Sequence, residues 1–220
     1  MITQLKAVLF DLDGTLVDSE GQYTRMWSEV GRRWAPQVPT LAQDIKGTTM
    51  VQILQRYFPD ADVQRQVVES IGEMESRMDF TLFPGAVDFV LDLRRNGLLT
   101  AVVTSSDTGK MQKFCQAHPR FGTLFDRILT SEDFHASKPA PDPYLRAAAA
   151  LGVGIRQCVV VEDAFTGLES GMRSGAFTLG LATTNPREQI KNRCHHVWDS
   201  LEGQTFDTLC RAVGLRGRED

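Results

Sequence analysis

The chain has 220 residues, 42% of them hydrophobic and 24% charged, with a formal net charge of −4. That length buries the core of one large domain, or of a main domain with a smaller companion, and the composition is that of an ordinary globular protein. The acidic balance argues against broad binding to nucleic acid or anionic membrane surfaces, no apolar run approaches a membrane span, and no charged-then-apolar signal segment opens the chain.

The first predicted element is a buried strand, Lys6-Ala7-Val8-Leu9-Phe10, running into Asp11-Leu12-Asp13-Gly14-Thr15. Strand side chains alternate with period two, so Asp11 and Asp13 are expected to face the same way while Leu12 turns to the core. Two anions side by side repel each other unless a cation or a shared proton intervenes. The pair therefore points to metal binding, acid–base chemistry, or both. An Asp-Gly turn or a helix N-cap uses the same residues, and a calcium loop also reads D-x-D-G. That loop, however, continues with polar ligands and a closing Glu, where this chain has Thr15-Leu16-Val17.

Residues 18–83 carry only helical patterns. Tyr23, Met26, Trp27, Val30 and Trp34 fall at helical spacing, then Ile53, Leu54, Tyr57 and Phe58, then Val63, Val67, Ile71, Met74 and Met78. These stripes are expected to form the core of a small helical domain inserted after the first strand. Its crossings fall near Val17-Asp18-Ser19 and Leu82-Phe83-Pro84-Gly85, so the main domain is expected to comprise 1–17 and 84–220.

From residue 84 onward helices and strands alternate. A helix from Val87 to Arg95 stops at Asn96-Gly97, and strands follow at Leu98–Val103, Asp126–Thr130, Cys158–Val161 and Phe177–Leu181. Helices lie between them, around Tyr144–Leu151 and Gly167–Arg173. Such alternation with fully apolar strands predicts an α/β fold: a Rossmann-like parallel sheet with helices on both faces, plus the inserted all-helical cap. The polar tail Leu215-Arg216-Gly217-Arg218-Glu219-Asp220 is expected to fray. Cys115, Cys158, Cys194 and Cys210 lack any C-x-x-C spacing and read as free thiols of a cytoplasmic protein. His118, His135, His195 and His196 read as structural or surface residues.

Ligands of an open parallel sheet bind beyond the carboxyl ends of its strands. There the chain offers Asp11 and Asp13, the hydroxyls of Thr104-Ser105-Ser106, Lys138 in the Pro-stiffened loop Ser137-Lys138-Pro139-Ala140-Pro141-Asp142, and Glu162-Asp163. Singly, each has a structural reading as a cap, a helix-dipole partner or a solvated charge. Their joint occurrence at strand ends is what suggests one pocket.

This order of motifs resembles the haloacid dehalogenase superfamily over essentially the whole chain. Asp11-Leu12-Asp13-Gly14-Thr15 is similar to the first motif, Thr104 to the second, Lys138 to the third and Glu162-Asp163 to the fourth; the helical insertion resembles the mobile cap. Ser137–Pro143 and Val161–Gly167 resemble most the β-phosphoglucomutase-like branch of sugar-phosphate phosphatases and mutases. The resemblance implies Asp11 as nucleophile, Asp13 as general acid and base, and Thr104 and Lys138 as holders of the phosphoryl oxygens. It implies Mg²⁺ held by Asp11, the Asp13 backbone carbonyl, Asp163 and Glu162. Ser105, Ser106 and the cap residues Tyr23, Lys46, Gly47 and Thr48 are candidates for substrate binding.

Dehalogenases of this superfamily use only the first aspartate, so Asp13 favours phosphoryl transfer, and a non-enzymatic binding module would not need the whole set. The mutase branch carries His where this chain has Tyr23, and an Arg where Lys46-Gly47-Thr48-Thr49 is followed by Met50. Losing that Arg removes a bidentate grip on a distal phosphate. The expectation is a monomeric, Mg²⁺-dependent phosphomonoester hydrolase for a small phosphorylated metabolite, most simply a sugar phosphate, with a phosphosugar mutase as the alternative.

Overall fold

The computed structural model describes residues 4–215, so the expected fraying of Arg216–Asp220 lies outside the described residues. Strand β1 (Ala7–Phe10) is followed by four helices, α1 (Glu20–Trp34), α2 (Leu41–Asp44), α3 (Met50–Tyr57) and α4 (Ala61–Glu75). Then come α5 (Ala86–Arg95), β2 (Leu99–Val103), α6 (Thr108–Ala117), β3 (Arg127–Leu129) and α7 (Asp142–Ala150). The chain ends with β4 (Cys158–Glu162), α8 (Phe165–Ser174), β5 (Phe177–Leu181), α9 (Arg187–Ile190), β6 (His196–Trp198) and α10 (Phe206–Ala212).

The strands form one six-stranded sheet in the order β3-β2-β1-β4-β5-β6, every pairing parallel. Phe10 lies opposite Val102 of β2 and Val161 of β4. The strand order reverses beside β1, which opens a crevice beyond the carboxyl ends of β1, β2 and β4. Both faces of the sheet are buried, which is why its strands are continuously apolar. Val8 and Phe10 pack with Phe89 of α5, Phe114 of α6 and Leu209 of α10, while Ala7 and Leu9 pack with Tyr144 and Ala147 of α7. The Phe10 ring meets Phe89 edge-on at 6.0 Å. Truncating a side chain so placed, as in Phe10→Ala, costs about 3–5 kcal/mol.

The helical insertion has its own core: Met26, Trp27, Val30, Leu41, Ile45, Ile53, Phe58, Val67 and Ile71 are buried together. Thr49 starts α3 through a reciprocal capping box with Gln52, and the Asp60 carboxylate starts α4 by accepting from the amides of Asp62 and Val63. Where the chain enters and leaves these helices its two strands are hydrogen-bonded to each other. Val17 and Leu82 form an antiparallel bridge, Asp18 N donates to Thr81 O at 2.8 Å, and Phe83 N donates to Leu16 O at 3.0 Å.

Several elements escape the sequence pattern. α4 stops at Glu75, short of Met78. α6 buries only Lys110, Met111 and Phe114, too few apolar residues to signal a helix by periodicity. β6 is a three-residue edge strand beginning at the exposed His196, and α9 has only four residues. The regular part of β1 ends at Phe10. Leu12 O then accepts from the amides of Leu16 and Val17, and Gly14 supplies the positive φ of 81° that the reversal needs. Asp13 thus lies in this turn and not in the strand itself; both carboxylates line one cavity, and each is paired with its own lysine. No described helix is long and apolar enough to cross a membrane.

Candidate active site

Asp11 follows β1, and its amide donates to Val161 O, which keeps it in line with β4. Its Oδ1 accepts from Lys138 Nζ at 2.6 Å. Lys138 is 1% exposed and donates also to Glu162 Oε1 at 2.6 Å and Val103 O at 3.0 Å. An ammonium has three donors, and all are used. Glu162 is equally saturated. Its Oε1 accepts from Lys138 and from the Tyr144 hydroxyl at 2.8 Å, and its Oε2 accepts from the amides of Asp163 at 3.0 Å and Ala164 at 3.2 Å. This seat is so close to α8 that a Cβ on Gly167 would stand 1.7 Å from Glu162 Oε1.

Asp163 differs from Glu162. Its Oδ1 accepts from Thr15 Oγ1 at 3.0 Å, while its Oδ2 is buried without a hydrogen-bond partner. Oxygens of Asp11, Glu162 and Asp163 all lie within 4.8 Å of one another. Burial raises the Asp163 carboxyl well above the ordinary range, and the charges of Glu162, Asp11 and Glu20 add to it. Burial likewise pushes Asp11 up to about 8, with Glu162 and Asp13 adding to the rise and Lys138 opposing it. Lys138 is raised above its usual value, because Asp11 and Glu162 outweigh the effect of burial. A hard cation among these oxygen donors would satisfy the orphaned Asp163 Oδ2 and relieve the repulsion, so the residues fit a Mg²⁺ ion.

Asp13 also faces the cavity. Its Oδ2 accepts from Lys110 Nζ at 2.6 Å and Ser106 Oγ at 2.9 Å, and its Oδ1 accepts from Ser19 Oγ. Burial would raise this carboxyl, but the Lys110 charge and the three hydrogen bonds outweigh it and hold Asp13 below the usual range. Lys110 also lies 4.1 Å from the centre of the Tyr23 ring.

A cavity of about 610 Å³ opens above these groups, between the sheet edge and the helical cap. Asp11, Asp13, Thr104, Ser105, Ser106, Tyr23, Lys46, Gly47 and Thr48 all line it, whereas Lys138, Glu162 and Asp163 lie buried beneath its floor. Thr104 Oγ1 accepts from Ser106 N at 3.0 Å, which leaves its hydroxyl hydrogen to be donated. Ser105 Oγ donates to Gly47 O at 3.2 Å, and Thr166 Oγ1 donates to Lys46 O at 3.3 Å, so the cap loop is docked on the core by its own carbonyls. Gly47 has φ +72°, and a Cβ there would stand 2.3 Å from Thr166 Oγ1. Lys46 Nζ is paired with Glu20 Oε2 at 3.0 Å, Tyr23 OH donates to Glu75 Oε1 at 2.9 Å, and Thr48 Oγ1 donates to Ile45 O.

Lys110, Ser19, Tyr144, Thr15 and Glu20 belong to this network, and sequence reasoning missed them. Lys110 stands in the first turn of α6, where the helix dipole disfavours a cation unless a carboxylate compensates, but α6 itself is not legible in the sequence, so that signal could not be read there. The histidines stay outside the site: His118 Nε2 bonds Phe80 O at 2.6 Å and His195 Nδ1 accepts from Thr178 N at 3.0 Å.

A carboxylate cluster and hydroxyls at the switch point of a parallel sheet, beneath an inserted set of helices, define the ligand site of a doubly wound, Rossmann-like enzyme. The chain belongs to the haloacid dehalogenase-like hydrolase family, whose model matches residues 5–175, and is an enzyme of its phosphatase type. It is 34% identical to hexitol phosphatase A of Escherichia coli (strain K12), over 90% of this chain and 92% of that protein. It is 31% identical over 86% of its length to the chloroplastic protein SUPPRESSOR OF QUENCHING 1 of Arabidopsis thaliana, where the match spans only 19% of the relative. A β-phosphoglucomutase from Clostridium difficile has the same fold, with a TM-score of 0.79 at 18% identity, covering 96% of this chain and 98% of that one.

Proposed function

We propose that the protein is a Mg²⁺-dependent phosphomonoester hydrolase, acting on a sugar or polyol phosphate through a phosphoaspartate on Asp11. The observation that carries this reading is the buried trio Asp11, Glu162 and Asp163 with an unpartnered Asp163 Oδ2, set 2.6 Å from the ammonium of Lys138 through Asp11. Asp11, Asp163 and the Asp13 backbone carbonyl would hold the ion, with Glu162 beside them as the anchor of Lys138. When bound, the ion offsets the repulsion between the nucleophilic carboxylate and the phosphoryl oxygens.

An Asp11 oxygen attacks phosphorus, the ester P–O bond breaks, and the departing oxygen takes a proton from Asp13. Water then attacks the phosphorus of the phosphoaspartate and gives its proton to Asp13, while the P–O bond to Asp11 breaks and inorganic phosphate leaves. Lys110 keeps Asp13 ionised, which suits the second step and makes the acid form scarce in the first. Thr104 supplies a hydroxyl donor to the phosphoryl oxygens. Lys138, with its donors committed, serves mainly to fix Asp11 and offset its charge.

Hydrolysis is favoured over the mutase alternative by the cap. Met50 brings no charge to the cavity, and the Tyr23 hydroxyl is spent on Glu75. We take residues 18–83 as the cap and 1–17 with 84–220 as the core, in a cytoplasmic monomer whose cysteines are free thiols. The test is phosphate release from a panel of hexose, hexitol and aryl phosphates with Mg²⁺ supplied. Absence of release from every ester would sink the reading.

A further inference from the structure

Beyond the reacting carboxylates and the hydroxyls of residues 104–106, the lining of the cavity is largely apolar and acidic. Trp27, Ala42, Ile45, Ile53 and Ile71 supply the apolar part, and Glu20, Glu75, Asp107 and Glu132 the acidic part. Among the described lining residues the cations are Lys46 and Lys110. Lys110 is committed to Asp13 at 2.6 Å, and Lys46 to Glu20 at 3.0 Å. The second pair is largely shielded from water, with side chains 23% and 20% exposed, so solvent screens it only in part.

We propose that Glu20 sets the charge of the substrate's organic half: by holding Lys46 it leaves the described lining of the cavity without an uncommitted cation, so that the phosphomonoesters accepted carry no second anion. The proposal rests on the phosphatase reading above. A carboxylate or second phosphate entering here would have to take Lys46 from Glu20 and then lie against the Glu20 carboxylate, in a cavity that Glu75, Asp107 and Glu132 line as well. An uncharged polyol meets no such cost. Its hydroxyls donate to these carboxylates, and its C–H edges pack on Trp27 and Ile45.

The experiment compares kcat/KM, with Mg²⁺, for a matched pair: glucitol 6-phosphate and 6-phosphogluconate, which differ in CH₂OH against carboxylate at C1. An aryl phosphate serves as the internal control. The parent protein should prefer the polyol ester by at least about tenfold, the scale of one like-charge contact. Glu20→Gln, which keeps the shape and frees Lys46, should bring the ratio down to a few-fold. Lys46→Gln, which leaves Glu20 uncompensated, should move it the opposite way. Equal rates for the two esters in the parent, or a ratio unmoved by Glu20→Gln and Lys46→Gln alike, overturns the assignment. Cleavage of the aryl phosphate with neither hexose derivative turned over rejects the polyol assignment and leaves the phosphatase reading standing. Loss of aryl phosphate cleavage as well takes down both.

Discussion

The ammonium of Lys110 lies 2.6 Å from Oδ2 of Asp13, against the face of the Tyr23 ring. It ties the helix that follows β2 to the carboxylate that follows β1, and together with the hydrogen bonds from Ser19 and Ser106 it holds the Asp13 carboxyl below the usual range. In Lys110→Met the hydrogen bonds from Ser19 and Ser106 remain, but burial is no longer opposed by a charge, so the Asp13 pKa should rise. The acid limb of the pH–kcat profile should then move to higher pH. For stability the sign runs likewise. A carboxyl depressed in the folded state contributes stability above its unfolded pKa and loses it as pH falls through the folded value, so the variant should lose stability at neutral pH, by about 1–3 kcal/mol. Urea unfolding at pH 7 and a pH–rate profile check both; an unmoved acid limb would refute the coupling.

Asp11 titrates in the opposite sense. With its carboxyl pushed up to about 8 in the metal-free protein, Asp11 contributes stability at low pH that is lost as pH rises from its ordinary value near 3.8 through 8. A cation needs the ionised form and must displace that proton when added below pH 8. The rise in Tm on adding Mg²⁺ to chelator-treated protein should therefore grow between pH 6 and pH 8, and turnover should vanish in excess chelator and return with Mg²⁺. A Tm gain independent of pH, or full activity in chelator, counts against Asp11 and Asp163 as the metal site.

The two aspartates should fail differently. Asp11→Asn removes the proposed nucleophile, and it also removes one of three crowded carboxylates, so turnover should fall to background while the metal-free fold is at least as stable. Asp13→Asn keeps the proposed nucleophile and loses the proposed proton donor. Its phosphorylation step should be slowed much more for an alkyl phosphate than for an aryl phosphate whose phenolate leaves unaided. Single-turnover measurements on both esters decide it, and equal slowing would rule out Asp13 as the acid.

Gly167 is required by the seat of Glu162. A Cβ there would stand 1.7 Å from Oε1, and the carboxylate cannot retreat without giving up Lys138 and Tyr144. Gly167→Ala should cost about 3–5 kcal/mol, the range for breaking a buried ion pair, and should lower kcat together with stability. Urea unfolding beside turnover tests this; an alanine variant of parent stability would mean that Glu162 has another place to go.

The parts of the site that were legible in the sequence are those whose chemistry is local. Asp11, Asp13, Thr104, Lys138 and Glu162-Asp163 stand at the ends of apolar strands, and the parallel sheet brings those ends together. What could not be read is partnership across the chain. Nothing near Lys110 in sequence says that it meets Asp13, 97 positions away, and nothing near Tyr144 says that it meets Glu162. The turn at Gly14, which takes Asp13 out of the strand, is also invisible to strand periodicity. β6 and α6 were missed for a different reason: a three-residue edge strand and a helix with few buried apolar residues carry almost no periodic signal.

The last expectation concerns the fate of the phosphoaspartate. A mutase must hold a bisphosphate while it turns over within the site, which needs a cation on the cap side to grip the distal phosphate. Here Met50 lines that wall, Lys46 is paired with Glu20, and Tyr23 is bonded to Glu75. Among the described lining residues no uncommitted cation is placed to hold the dephosphorylated sugar for a second transfer, so on the proposed reading water should intercept the phosphoaspartate first. With β-glucose 1-phosphate as substrate and glucose 1,6-bisphosphate supplied, inorganic phosphate should appear with little glucose 6-phosphate formed. Coupled detection of glucose 6-phosphate beside direct phosphate release measures the partition. Isomerisation much faster than phosphate release would reverse the assignment in favour of the mutase.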